Sequence, residues 1–184
     1  MTTQTAAMNP EEALAGWRAE EAAVRARHQT APGVASPAQV AGRSGLQILQ
    51  ALLAGEIPPP PMGVTLGFTL LRIESGFAVF QGQPHFSHYN PMGTVHGGWF
   101  ATLLDSAMGC AVQSTLPAGK AYTTLELKLN LVRTLTDAVP LVRAEGRLVH
   151  SGRQVATAEG RLVGADGKLY AHASTTCLLF DPKS

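Results

Sequence analysis

One stretch of the sequence constrains the fold more than any other. From Trp99 to about Val112 the chain has helical periodicity and is apolar almost all round. A helix with no polar face must be enclosed by other structure, and the sequence on both sides of it is typical of strands. The sequence therefore predicts one long buried helix in a domain otherwise built from a sheet.

Strand signals surround this helix. Polar and apolar residues alternate from Thr124 to Leu131, which predicts a strand in a sheet with one solvent-exposed face and one buried face. Turn signals at 74–76, Ser151-Gly152 and Asp166-Gly167 separate further strands, predicted at 67–73, 77–83, 140–150, 153–164 and 168–180. Because a single helix is available to cover the buried face of the sheet, we expect an α+β fold in which an antiparallel sheet wraps around one long central helix.

The first 60 residues have a different character. Asn9 followed by Pro10 predicts the start of a helix, which needs a partner surface or stays mobile because its apolar content is low. A second, short amphipathic helix is predicted after Ser44. The proline run 58–61 is a stiff spacer, so the boundary is placed there. We expect a partly mobile helical extension over residues 1–60 and the main domain over 61–184.

Composition excludes several classes of function. A formal net charge of +1, with no run of Lys or Arg, argues against a nucleic-acid partner. The two cysteines form no CxxC pair and the histidines form no metal motif, so we expect no metal. A P-loop and a Gly-x-Gly-x-x-Gly motif after a strand are both absent, and we expect no cofactor. No apolar run approaches the roughly 20 residues of a membrane span, and no secretory signal is evident. These features predict a soluble cytoplasmic protein without membrane partners.

The loop that leads into the buried helix carries the first chemical signal. It runs from Asn90 to the paired Gly97 and Gly98 at the predicted helix start. Glycines there let a ligand approach the backbone and leave N–H groups free for an oxygen that gains negative charge during a reaction. Close packing of helix on sheet is the other explanation. His96 could order the loop, and Asn90 could form a turn or orient a water.

Asp105 is the second signal. It lies eight residues after Gly97, inside the otherwise apolar helix. A buried carboxylate without a partner is costly, so either its environment compensates for it or the position has a function, such as accepting a proton from water. The structural alternatives are a hydrogen bond to Thr102 or Ser106, or partial exposure at an edge.

These residues together resemble a known family. The pattern Asn90-Pro-x-Gly-x-Val-His96-Gly97-Gly98, with Asp105 nine residues after the histidine, resembles the signature of PaaI-like acyl-CoA thioesterases of the hotdog superfamily. The resemblance covers roughly residues 62–181. It implies the hotdog fold, a homodimer that pairs its sheets, an active site at the dimer interface, and often two dimers in a tetramer.

The resemblance also implies roles for individual residues. The Gly97 N–H would polarise the thioester carbonyl, and Asp105 would act as general base or nucleophile in hydrolysis of acyl-CoA to free acid and CoA. Asn90 would hold the water, and His96 would order the loop and help polarise the thioester. The other residues expected at the site are Thr124, whose hydroxyl would assist, and the substrate-binding positions Gly98, Thr123, Gly152 and Arg153.

Two other functions fit the same fold. One is hydration or dehydration of an acyl-CoA double bond. The other is a non-catalytic scaffold that binds acyl-CoA. Release of a free thiol from acyl-CoA distinguishes hydrolysis from both.

Overall fold

The computed structural model describes residues 9–182; residues 1–8 of the predicted extension lie outside the described residues. The helices are α1 (Pro10–Arg25), α2 (Pro37–Val40), α3 (Gly45–Ala54), α4 (Pro61–Leu66) and α5 (Gly97–Gln113), with a short 3-10 helix at Phe86–His88. The strands are β1 (Phe68–Glu74), β2 (Phe77–Gly82), β3 (Ala121–Leu131), β4 (Val142–Ser151), β5 (Val155–Gly164) and β6 (Leu169–Phe180).

All six strands form one antiparallel sheet in the order β1-β2-β4-β5-β6-β3. Helix α5 lies across the inner face, and its Leu103, Leu104 and Met108 are fully buried. The predicted α+β architecture is confirmed. The predicted helix and strands match the observed bounds within two residues, except that β3 begins at Ala121 rather than Thr124.

Two inward-facing glycines let α5 approach the sheet closely. A methyl group at Gly146 of β4 would overlap the backbone of Ala107 and Met108. At Gly160 of β5, directly beside Gly146 in the sheet register, a methyl group would come within 3.0 Å of Met108 Cγ and 3.1 Å of Leu104 Cδ2. The helix backbone therefore rests on the sheet itself, at a depth that a larger side chain would not permit.

Helix α1 packs on the outer face of the sheet. Gln81 and Arg143 are register neighbours on β2 and β4, and both are buried. Gln81 donates to Glu21 Oε2 at 2.6 Å, and Arg143 bonds Gln81 Oε1 at 2.8 Å and Glu20 at 2.6 Å. The Arg143 guanidinium also lies 4.3 Å from the centre of the Trp17 ring. This polar contact is the partner surface that the thinly apolar helix needs.

Within the extension α3 also contacts β1, on the inner side of this edge strand, and α4, which follows the predicted boundary, contacts β1 as well. The boundary at residue 60 stays a prediction. None of the helices between residues 9 and 182 has the length and apolar character needed to cross a membrane.

The contact between Gly146 and α5 makes a stability prediction. Gly146→Ala should lower the free energy of unfolding by about 2 kcal/mol or more, because the new methyl group meets helix backbone that cannot move aside. Gly16→Ala is the matched control: Gly16 lies on α1, a methyl group there would meet no atom of residues 9–182 within 4 Å, and the change should raise stability by up to about 1 kcal/mol. Urea unfolding measures both, and equal stability of Gly146→Ala and wild type would contradict the packing argument.

Candidate active site

The start of α5 leaves one backbone donor free. His96 is the N-cap residue, and its Nδ1 accepts the Gly98 N–H at 2.9 Å. The Gly97 N–H has no acceptor among residues 9–182, and Gly97 borders a pocket of about 310 Å³. Of the two glycines, Gly97 therefore offers its N–H to a ligand, at the positive end of the helix dipole. The substrate-binding role of Gly98 stays a prediction, with its N–H committed to His96.

The preceding loop is ordered by its own side chains. The Asn90 amide oxygen accepts from the N–H groups of Met92 at 2.9 Å and Thr94 at 3.3 Å, and its nitrogen donates to the Thr94 hydroxyl. Asn90 thus forms the turn that was one of its two expected roles. His96 donates its N–H to the His88 carbonyl, which ties the end of the loop down. The water-holding role of Asn90 stays a prediction.

The hydrogen bond that orients Asp105 comes from the sheet and not from its own helix. The Thr124 hydroxyl donates to Asp105 Oδ1 at 2.9 Å. The hydroxyls of Thr102 and Ser106 bond the helix carbonyls of Gly98 and Thr102 instead, so neither supplies the expected alternative partner. Asp105 is partly exposed, and its second oxygen accepts no hydrogen bond from the described part of the chain. One carboxylate oxygen is thus fixed and the other is free to act on a substrate or water.

A bulge in β3 brings Thr124 to this position. Thr124 pairs with Cys177 and Glu126 pairs with Thr176, so Leu125 is an extra residue and is 60% exposed. Simple alternation would have placed Thr124 on the solvent-exposed face of the sheet and Leu125 on the buried face. The bulge reverses this locally, and the alternating sequence carries no signal for it.

Three further groups surround Asp105 that sequence reasoning missed as site residues. The Tyr122 hydroxyl lies against Gly109, and burial followed by the nearby Cys110 and Asp105 charges raises the pKa of Tyr122. Burial, and then the Asp105 carboxylate, raises the pKa of Cys110 to about 12, and burial raises the pKa of Cys177. All three groups stay protonated near neutral pH, so they add no charge beside the carboxylate. Cys110 follows Asp105 by five residues on α5, Tyr122 precedes Thr124 by two on β3, and Cys177 is the β6 partner of Thr124. Only the tertiary packing brings the three together, so the sequence offered no direct signal for them.

The other predicted substrate-binding residues do not reach Asp105 within one chain. Thr123 is exposed and faces away from Thr124. The Gly152-Arg153 turn follows Ser151, which shares a register row with Thr124 but lies three strand spacings away, roughly 14 Å. Their roles stay predictions. No cluster of three or more His, Cys, Asp or Glu side chains within residues 9–182 could hold a metal ion.

Gly97 and Asp105 of one chain lie far from each other along α5. Eight residues of helix separate them by roughly 12 Å along the axis. A reacting carbonyl needs its donor and its base within about 3 Å of the reacting atoms. One chain therefore holds both groups but does not bring them together.

Comparison with known proteins identifies the family. The family model for the thioesterase superfamily matches residues 92–171. A phenylacetic acid degradation-related protein from Ralstonia eutropha JMP134 is 33% identical, with a TM-score of 0.64 over 70% of this chain and 97% of that chain. The chain belongs to the thioesterase superfamily. Membership indicates hydrolysis of acyl thioesters in general.

Other solved structures agree with this family assignment. The PaaI protein of Thermus thermophilus, in a mutant form, is 29% identical, with a TM-score of 0.58 over 64% of this chain and 97% of that chain. The Escherichia coli PaaI protein, at 21% identity and a TM-score of 0.59 over 65% of this chain and 83% of that chain, shows the fold alone. The fold is the hotdog fold of the PaaI-like thioesterases. No curated protein matches the chain.

The surroundings of Asp105 make a prediction for thiol chemistry. With its pKa raised from 9.0 to about 12, Cys110 should carry about a thousandfold less thiolate at pH 8 than an unperturbed cysteine, and alkylation should accelerate with pH until about 12. Asp105→Asn should speed the labelling, because it removes the charge that opposes thiolate formation. Mass spectrometry of iodoacetamide adducts in a Cys177→Ser background measures this. Labelling of Cys110 at the rate of a free thiol would contradict the raised pKa.

Proposed function

We propose that this thioesterase hydrolyses an acyl-CoA thioester to the free acid and CoA. The observation that carries the proposal is the pairing of functions on α5. The helix start presents the unused Gly97 N–H, and the same helix carries Asp105, one oxygen of which is fixed by Thr124. An oxyanion donor and a carboxylate are the two groups that attack on a thioester requires.

The chemistry follows from these two groups. The thioester carbonyl oxygen accepts the Gly97 N–H, which stabilises the negative charge that develops there as the carbonyl carbon is attacked. As general base, Asp105 takes a proton from the attacking water; the C–S bond then breaks, and the CoA thiolate leaves and is protonated. As nucleophile, Asp105 attacks the carbon itself, the C–S bond breaks and the CoA thiolate leaves and is protonated; water then hydrolyses the resulting anhydride to the free acid and the regenerated carboxylate. Both routes use the free carboxylate oxygen while Thr124 holds the other.

Two chains complete each site in this proposal. Because Gly97 and Asp105 of one chain lie roughly 12 Å apart on their helix, the donor comes from one subunit and the carboxylate from its partner. Strand β3 supports this arrangement, since it pairs only with β6 and leaves its other edge open within the described chain. At the end of β3, Leu131 and Val132 are half-exposed. We propose a homodimer joined through the β3 edges, and a tetramer of two such dimers.

The remaining residues take supporting roles. His96 and Asn90 hold the loop so that the Gly97 N–H points at the substrate, and the remaining donor of Asn90 can hold the water. Gly98 and Thr123 contact the substrate. The Gly152-Arg153 turn contacts CoA, whose phosphates favour an exposed arginine.

Thiol release tests the function. Wild type should release CoA from at least one of a panel of short, medium and aryl acyl-CoAs. Asp105→Asn should lose about a hundredfold or more in kcat, because the amide keeps the size and the bond from Thr124 but cannot accept the proton. Asp181→Asn is the control, since this exposed carboxylate pairs only with Lys120 in the described chain. Absence of turnover with every substrate would favour the binding scaffold, and full activity of Asp105→Asn would rule out its catalytic role.

Proline at position 97 tests the oxyanion donor and the shared site together. Gly97 is the first helical residue, where proline fits, and His96 has the extended backbone (φ −65°, ψ 138°) that a following proline requires. Gly97→Pro removes the N–H and should cost about a hundredfold or more in kcat, whereas Gly97→Ala keeps the donor and should retain most activity. In the described part of the chain, the only neighbour within 4 Å of a new methyl group is the end of the Leu131 side chain.

Mixed dimers then locate the two groups. In a dimer of one Gly97→Pro chain and one Asp105→Asn chain, a shared site retains one intact pair, so activity should return to about half of wild type. Purified tagged heterodimers and thiol release measure this. If both groups acted within one chain, the mixed dimer would stay as inactive as its parents.

A further inference from the structure

A second cavity lies away from Asp105, between the N-terminal extension and the edge strand β1. Its volume is about 220 Å³. Phe68, Leu70 and Phe80 of β1 and β2 form its floor, and Leu52 and Leu53 of α3 form part of its roof. An apolar cavity of roughly 150 Å³ is enough to hold benzene, so this space accommodates a medium apolar chain.

Stiff backbone keeps the cavity from closing. Pro59 and Pro60 form one wall, and their rings fix the backbone in an extended form. The Gly33 N–H donates to the Pro59 carbonyl at 3.0 Å, which ties this wall to the loop after α1. Protein interiors are otherwise densely packed, so a space preserved by rigid walls is suited to a ligand.

The ionisable groups that line the cavity are all basic. Arg25 uses its Nε to bond Glu21, and its terminal nitrogens have no partner within the described chain. His28 lies beside it, and its enclosed Nδ1 has no hydrogen-bond partner among residues 9–182. Burial, and then the charges of Arg25 and Arg27, lowers the pKa of His28, so the ring is neutral near pH 7 and can donate one hydrogen bond. An anionic head group on an apolar tail complements this lining.

The cavity is separate from the proposed catalytic site. Strands β1 and β3 are the opposite edges of the sheet, five strand spacings or roughly 24 Å apart along it. The pocket bordered by Gly97 shares no lining residue with this cavity. The Ralstonia protein, matched over 97% of its own length, covers 70% of this chain, and the thioesterase family match begins at residue 92. Both the roof and the floor of the cavity thus precede the residues that the family model matches.

We propose that this cavity is a second binding site, which takes a monocarboxylic acid with an apolar tail. The tail occupies the space between α3 and β1, and the carboxylate meets the free guanidinium nitrogens of Arg25 beside His28. The site goes beyond the hydrolysis proposed above and does not depend on it, since neither Asp105 nor Gly97 contributes to it.

Calorimetric titration of the full chain with octanoate tests the site. We expect one octanoate per chain at the cavity, bound at least about tenfold more tightly than octanol, because octanol lacks the charge that Arg25 recognises. Leu53→Trp fills the cavity and should abolish this binding, while Leu53→Met conserves its volume and should keep it. Arg25→Gln, at an exposed position that folding tolerates, should weaken octanoate about tenfold and leave octanol unchanged.

Each other outcome would overturn the proposal. Absence of octanoate binding would do so, as would octanol binding as tightly as octanoate. If octanoate bound equally well to wild type, Leu53→Trp and Arg25→Gln, it would be occupying another site, such as the catalytic pocket. If Leu53→Trp fails to fold, the Arg25→Gln result decides whether octanoate binds in the cavity. Asp105→Asn separates the two sites, because it should leave octanoate binding in the cavity unchanged.

Discussion

The backbone contact between α5 and β4 sets the position of everything else in the molecule. Gly146 lets the helix backbone lie directly on the strand, and Gly160 continues the small inner surface onto β5. This depth places the flank of α5 against β3, where a 2.9 Å bond joins Thr124 to Asp105. A helix held further out by side chains would leave that carboxylate unbonded. The same packing fixes where the N-terminus of α5 emerges, and hence where Gly97 presents its N–H.

The buried helix also divides the proposed chemistry between two chains. A straight helix cannot fold back on itself, so groups at its start and two turns along remain roughly 12 Å apart. The proposed homodimer would overcome this separation by bringing the start of one helix to the middle of the other. The hydrogen bonds within one chain fit that division. His96 accepts the Gly98 N–H, and the Gly97 N–H has no acceptor in the described chain. Thr124 donates to one oxygen of the Asp105 carboxylate, and the other oxygen accepts no hydrogen bond from the described chain.

The sequence predicted the regular parts of the fold well because their signals are local. An all-apolar helix and alternating strands need only neighbouring residues to identify them, and the loop and Asp105 stood out as polar or flexible residues beside that helix. The bulge at Leu125 was not predictable, since it depends on how β3 pairs with β6 and alternation predicts the opposite orientation. The contact of α1 with Gln81 and Arg143 was equally hidden, because it joins residues 60 or more positions apart. The tyrosine and two thiols around Asp105 are brought together only by the tertiary packing.

The N-terminal extension bears on the proposed assembly through the edges of the sheet. An open edge strand exposes unpaired backbone groups and invites pairing with another chain. At β1 this edge is flanked on the outer face by α1, which Gln81 and Arg143 hold in place, and on the inner face by α3 and α4. At β3 no element of the described chain pairs with the outward side. The extension thus makes the two edges unequal, and it leaves β3, the strand that carries Thr124, as the edge available to a second chain.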